Sequence, residues 1–99
     1  MRSLGGMAEI EIDGSAVTTP HEFYEAFFAA TTGLVPDYGG RNADALNDDL
    51  RGLMEPLTVT IRHVRSMRDW GGEFLYLVVD VFLDREPGNK TVRVVLDPN

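Results

Sequence analysis

The sequence predicts an α/β domain, and three observations carry that prediction. Segments near the N-terminus, in the middle and near the C-terminus alternate in the apolar, β-branched manner of strands. Between the first two stand two helix starts, each marked by its own capping residue. The 99 residues, 43% of them hydrophobic, suffice for one core and leave no room for two.

In chain order, residues 1–7 hold two glycines and little to bury, and are expected to form a loose arm ahead of a single domain over 8–99. Ala8 to Ile12 alternates apolar with acidic residues and reads as a strand closed by the Asp13-Gly14 turn. Thr19-Pro20-His21-Glu22 starts a helix: Thr19 as cap, Pro20 at the first position where its missing N–H is no loss, Glu22 completing a capping box. Phe23, Phe27, Phe28 and Ala30 form its buried stripe, and Gly33 ends it with Leu34 packing back. A glycine-containing loop, Pro36 to Arg41, leads to Asn42, the N-cap of a helix of about three turns. Leu46, Leu50 and Leu53 give that helix one narrow apolar face, and Gly52 and Pro56 end it. Leu57 to His63 and Lys90 to Leu96 read as further strands.

Glu73 to Arg85 fits two periods at once. As a helix, Phe74, Leu77, Val78, Val81 and Phe82 share a face, with Glu73, Asp80 and Asp84 opposite. As a strand, Leu75, Leu77, Val79, Val81 and Leu83 share one, with Pro87-Gly88-Asn89 as a hairpin loop. The helical alternative separates all strands by helices and implies a small parallel sheet.

Nine Lys and Arg face 16 Asp and Glu, a formal charge of −7. That balance disfavours nucleic acid or an anionic membrane as the main partner and favours a basic one. With no cysteine, disulfides, thiolate metal sites and a cysteine nucleophile are excluded. No apolar run approaches the ~20 residues of a membrane span, and Met1 to Met7 lacks the apolar region of a secretory signal, so a cytoplasmic location is expected.

The informative feature is the second helix. Asp44 and Asp48 lie four residues apart on one face with Asp49 alongside, although like charges at that spacing destabilise a helix by about 0.2–0.5 kcal/mol. A purely structural account covers Asp44, which meets the positive end of the helix dipole. Asp48 lies beyond that benefit, and an ion pair with Arg51 is its simplest structural explanation. The functional alternative is an anionic knob, with Tyr38 and the glycine loop beside it, shaped for a cationic cleft.

The run Pro36-Asp37-Tyr38-Gly39-Gly40-Arg41-Asn42-Ala43-Asp44-Ala45-Leu46-Asn47-Asp48-Asp49-Leu50-Arg51-Gly52-Leu53 resembles the signature of the barstar family, small intracellular inhibitors of barnase-type guanyl-specific ribonucleases. Pro56-Leu57, Val81-Phe82 and Asp84 then fall in register, so the likeness extends from Ala8 to Leu96. It implies a three-stranded parallel sheet packed by three to four helices, with Phe74 to Arg85 helical. It also implies that Asp48 occupies the phosphate position in the ribonuclease site, that Asp44 meets the basic rim, and that Tyr38 packs on the catalytic histidine. Further partner-binding positions implied are Gly40, Asn42, Ala43, Ala45, Asn47, Arg51, Gly52 and Val81, with Asp84 pairing with enzyme cations. The expected partner is one basic, secreted guanyl-specific ribonuclease in a 1:1 complex, and the free protein is expected to be monomeric. The sequence departs from the family at Gly39, Asn47 and Leu53, where family aromatics are missing, and at Asp84, one methylene short of the family's glutamate. These departures point to a different ribonuclease as target.

Other chemistry finds little support. His21 and His63 stand at a helix start and a strand end, where surface or capping roles account for them, and no Walker, GxSxG or His-Glu-x-x-His motif occurs. A magnesium site of Asp44, Asp48 and Asp49 lacks any sign of the phosphate substrate such sites serve. Arg62, His63, Arg65 and Arg68 form a basic patch that reads as a solvated face, and Trp70 reads as a core or rim residue. No enzymatic activity and no cofactor are expected. The competing functional reading is an interaction module of the same fold directed at another basic toxin or effector.

Overall fold

The computed structural model describes residues 2–3, 8–53, 55–83 and 92–98. Strand β1 (Arg2–Ser3) pairs antiparallel with β2 (Ala8–Asp13). Helices α1 (Pro20–Ala30) and α2 (Ala43–Leu50) follow, then β3 (Leu57–Arg62), a 3-10 turn (Val64–Met67), α3 (Arg68–Phe82) and β4 (Val92–Leu96). The sheet order is β1-β2-β3-β4. The three longer strands are parallel, in the registers Ala8 with Leu57 and Leu57 with Val92. The predicted parallel α/β architecture is therefore present. Residues 2–3, read from the sequence as part of a loose arm, form the two-residue β1, which is too short to show a period of two.

Alternation along β2 and β3 sends Ala8, Ile10, Ile12, Leu57, Val59 and Ile61 into the core, while Glu9, Glu11 and Arg62 stay outside. α1 begins as its sequence dictates: Thr19 Oγ1 accepts the Glu22 N–H at 3.1 Å. The Glu22 carboxylate reaches past the cap to the N–H and hydroxyl of Thr18, at 2.6 and 2.8 Å. Those bonds hold its pKa below the usual glutamate value.

The segment with two periods resolves as helix. Val78 and Phe82 are buried four residues apart and Leu83 stays exposed, while Leu77, expected on the same helical face as Val78, is instead exposed where it lines a groove beside α2. The helix starts five residues before the segment at issue, carries a non-helical Gly71, and runs to Phe82. Asp84 to Arg85 and the Pro87-Gly88-Asn89 turn lie outside the described residues. α3 meets α1 through aromatic contacts: Phe23 and Tyr24 stand edge-on 5.4 and 5.5 Å from the Phe74 ring, and Phe27 stands 5.3 Å from Phe82 in a tilted pair. Trp70 packs on Phe74 with ring centroids 5.8 Å apart, half-buried as a rim residue.

Candidate functional site

The site grows from the connection between α1 and α2. Gly33, at φ +83°, turns the chain out of α1, and Leu34 and Val35 drop into the core as anchors. Asp37 Oδ1 then accepts the Gly39 N–H at 2.9 Å, a turn closed by Gly39 at φ +93°. Tyr38, at the crest, is 82% exposed.

One side chain binds this loop to the body. Arg41 spans Asp37 with both terminal nitrogens, at 2.9 and 3.1 Å, and donates its Nε to Glu25 of α1 at 2.6 Å. Its guanidinium also meets the Gly40 carbonyl at 3.0 Å and lies 4.7 Å above the Phe28 ring. The Arg41 bonds, with the Gly39 N–H, hold the Asp37 pKa below the usual aspartate range.

α2 opens on Asn42, whose Oδ1 accepts the Ala45 N–H at 2.8 Å. A Cβ added to Gly40 would stand 2.5 Å from the Ala45 Cβ, so the loop lies against the first turn of α2 at a distance only glycine permits. Gly52 makes a similarly close approach to Pro36. The helix buries Leu46 and Leu50. Asp44 and Asp48 face solvent one turn apart. Arg51 caps the C-terminal end through its backbone N–H, which bonds to the Asp48 and Asp49 carbonyls.

Asp49 is the surprise of this helix. Expected beside Asp48 on the acidic surface, it is only 2% exposed. One step along a helix turns a side chain by about 100°, and that step carries Asp49 inward. Its carboxylate accepts the backbone N–H of Tyr38, its Oδ2 has no hydrogen-bond partner among the described residues, and burial pushes its pKa up. The three aspartates therefore do not present one surface.

α3 closes the other side. A groove of about 310 Å³ is lined by Ala43, Asp44 and Asn47 of α2 and by Leu77, Asp80 and Val81 of α3. Val81 thus lines the same groove as Asp44 and Asn47. Asp80 and Leu77 enter the site without having been singled out for it; the signal available was that Asp80 shares a helical stripe with Asp84. Asp84 itself lies outside the described residues.

The remaining candidates lie elsewhere in the fold. His21 sits 3.7 Å from Glu25 on the surface of α1, and His63 forms the left-handed joint, φ 55°, between β3 and the 3-10 turn. Arg62 of the basic patch pairs with Glu11 at 3.4 Å and Asp97 at 3.7 Å. No helix of the described residues is long and apolar enough to cross a membrane. No group of three His, Asp or Glu among them could hold a metal ion.

What this arrangement can do is electrostatic: it offers two outward carboxylates, an exposed phenol and an acid-walled groove on one rigid support. Compared with known proteins, the chain matches over residues 7–96 a family model described as Barstar (barnase inhibitor). No curated protein matches it.

Proposed function

The chain belongs to the barstar family, a family of inhibitors rather than enzymes, and from that premise we propose that it blocks a guanyl-specific microbial ribonuclease by occupying its active site. The observation that carries this reading is the pair Asp44 and Asp48, one turn apart on the outward face of a capped helix, beside an 82% exposed Tyr38. A ribonuclease site must hold phosphate with cations, and two carboxylates on a fixed support meet those cations without presenting a scissile bond. Asp48 takes the phosphate position, Asp44 meets the basic rim, and the Tyr38 ring covers the catalytic histidine. The inhibitor acts as a monomer in a 1:1 complex, in the cytoplasm, and needs no cofactor.

The geometry favours this mechanism because the support is stiff. Asn42 caps the acidic helix, Gly40 packs on its first turn, and Asp49 receives the Tyr38 N–H, so little freedom is lost on binding. The opposite charges of the partners steer encounter, so salt slows association more than it speeds release.

The test is a titration of the protein into a guanyl-specific ribonuclease, following RNA cleavage, with Asp48→Ala beside it. Stoichiometric inhibition by the wild type is expected. The variant should bind more weakly by about 2–5 kcal/mol, a range that complexes of this family helped to establish. Equal inhibition by Asp48→Ala would remove α2 from the interface. Failure to inhibit any of several such enzymes would overturn the ribonuclease reading.

A further inference from the structure

We propose that Arg41, a cation in the middle of an acidic binding face, is a positioning residue that sets the lifetime of the complex by locking the Tyr38 loop before any partner arrives. The consequence for binding rests on the inhibitor reading above; the consequence for the loop does not. An Arg on a surface meant for a basic enzyme would by charge alone repel its target. The geometry accounts for its presence, because every polar group on its guanidinium that the structure describes is directed at this protein's own chain.

Asp37 is taken by both terminal nitrogens, Glu25 by Nε, and the Gly40 carbonyl by Nη1, while the Phe28 ring lies beneath. The Arg41 side chain is only 17% exposed, while Glu25 and Asp37 are 53% and 39% exposed, so the hold comes from several partners fixed at once on one planar group rather than from shielded charge. Two carboxylates around one guanidinium leave the cluster with a net negative charge, and the acidic field of the face is kept.

The loop needs such a lock. Gly39 and Gly40 make its backbone free to wander, and among the described residues Tyr38 at its crest makes no side-chain hydrogen bond that would hold it. Arg41 fixes the far end of the loop to α1, and Asp49 fixes the Tyr38 amide to α2. A ring held in place from both sides loses less entropy on docking, and the gain falls mainly on dissociation. A guanidinium is required because an ammonium cannot span Asp37 with two parallel bonds while also reaching Glu25.

Arg41→Gln and Arg41→Lys test this with two readouts. The first is amide hydrogen exchange in the free protein. Exchange at Tyr38 and Gly39 should quicken about tenfold in both variants, with amides inside α1 and α2 within about twofold of wild type, since opening is local. The second is binding kinetics with a guanyl-specific ribonuclease. Dissociation should quicken about tenfold in both variants, while association is unchanged for Lys and unchanged or faster for Gln, which removes a like charge. Unchanged exchange in both variants overturns the proposal, and so does full rescue by Lys, which would leave charge alone as the cause. Faster exchange with unaltered dissociation also overturns it. Should the wild type bind no such enzyme, the inhibitor reading fails, and the exchange measurement still decides whether Arg41 locks the loop.

Discussion

Replacing Asn42 with alanine should loosen the acidic helix at its root. The Asn42 side chain accepts the Ala45 N–H at 2.8 Å, satisfying one of the amides that the first turn leaves without an intrahelical partner. Loss of such a cap costs about 1 kcal/mol, within a range of about 0.5–2. α2 is poorly placed to absorb it. The helix has eight residues, well below the ~12–15 at which isolated helices become even marginal. Its last turn has no basic residue, and Asp48 and Asp49 there oppose the helix dipole. For a domain of this size, about 1 kcal/mol corresponds to a fall in Tm of roughly 4–8 °C. Urea unfolding followed by circular dichroism should show a lower midpoint with an unchanged slope, as expected when only the native state is weakened. Asn42→Ser keeps an acceptor in place and should stay within about 0.5 kcal/mol of wild type. If the alanine and serine variants unfold together at the wild-type midpoint, the cap does not support α2 and the reasoning fails.

Tyr38→Ala should leave urea stability within about 0.5 kcal/mol, because the ring is 82% exposed, while weakening inhibition about tenfold or more; a large stability loss would show that the ring packs within the fold. Asp49→Asn retains an acceptor for the Tyr38 N–H and removes a charge that burial disfavours. Because the folded pKa of Asp49 lies above the ordinary 3.8, its favourable contribution is complete below that value and is lost as pH rises through the folded pKa. The Asn variant should therefore gain on wild type in urea midpoint as pH rises from acid to neutral, and an Asn variant less stable at pH 7 would refute this. Asp37 has the opposite sign: its pKa is lowered, so the Arg41 bridge is complete above the ordinary value of 3.8 and is lost as pH falls through the lower folded value. Gly39 amide exchange corrected for its intrinsic pH dependence should stay slow down to that region, and opening of the loop at pH 5 would contradict it.

Much of this was legible in the chain. Thr19, Pro20, Glu22 and Asn42 announce their helices because capping chemistry is local and depends on residues within one turn. The strands β2 and β3 were legible because one of their faces is buried, which writes a period of two into the sequence. The α3 segment was not, since apolar residues occupy nearly every position from Phe74 to Phe82 and satisfy both periods. Packing against Phe23, Tyr24 and Phe27 decides it, and those contacts are long-range. Asp49 was misplaced for a different reason: hydropathy puts an aspartate outside, and only the Tyr38 amide explains why one is held within. Arg41 stood within the quoted signature without a role, because Glu25 lies sixteen positions earlier and no local rule connects them.

The connection between β2 and β3, residues 14–56, carries the loop and the acidic helix together on a sheet that supplies no residue to the loop or helix itself. Its positions divide sharply by duty. Asn42, Gly40 and Leu46 hold shape, and losing the cap, adding a Cβ or emptying the core there carries a stability cost or a packing conflict. Tyr38, Asp44 and Asp48 project outward and hold almost nothing up. A lineage can therefore exchange the outward set with little loss of foldedness, staying above the stability threshold while its choice of target drifts. Separation of this kind lets one scaffold follow an evolving opponent, and it places the record of that pursuit in a few exposed side chains rather than in the core.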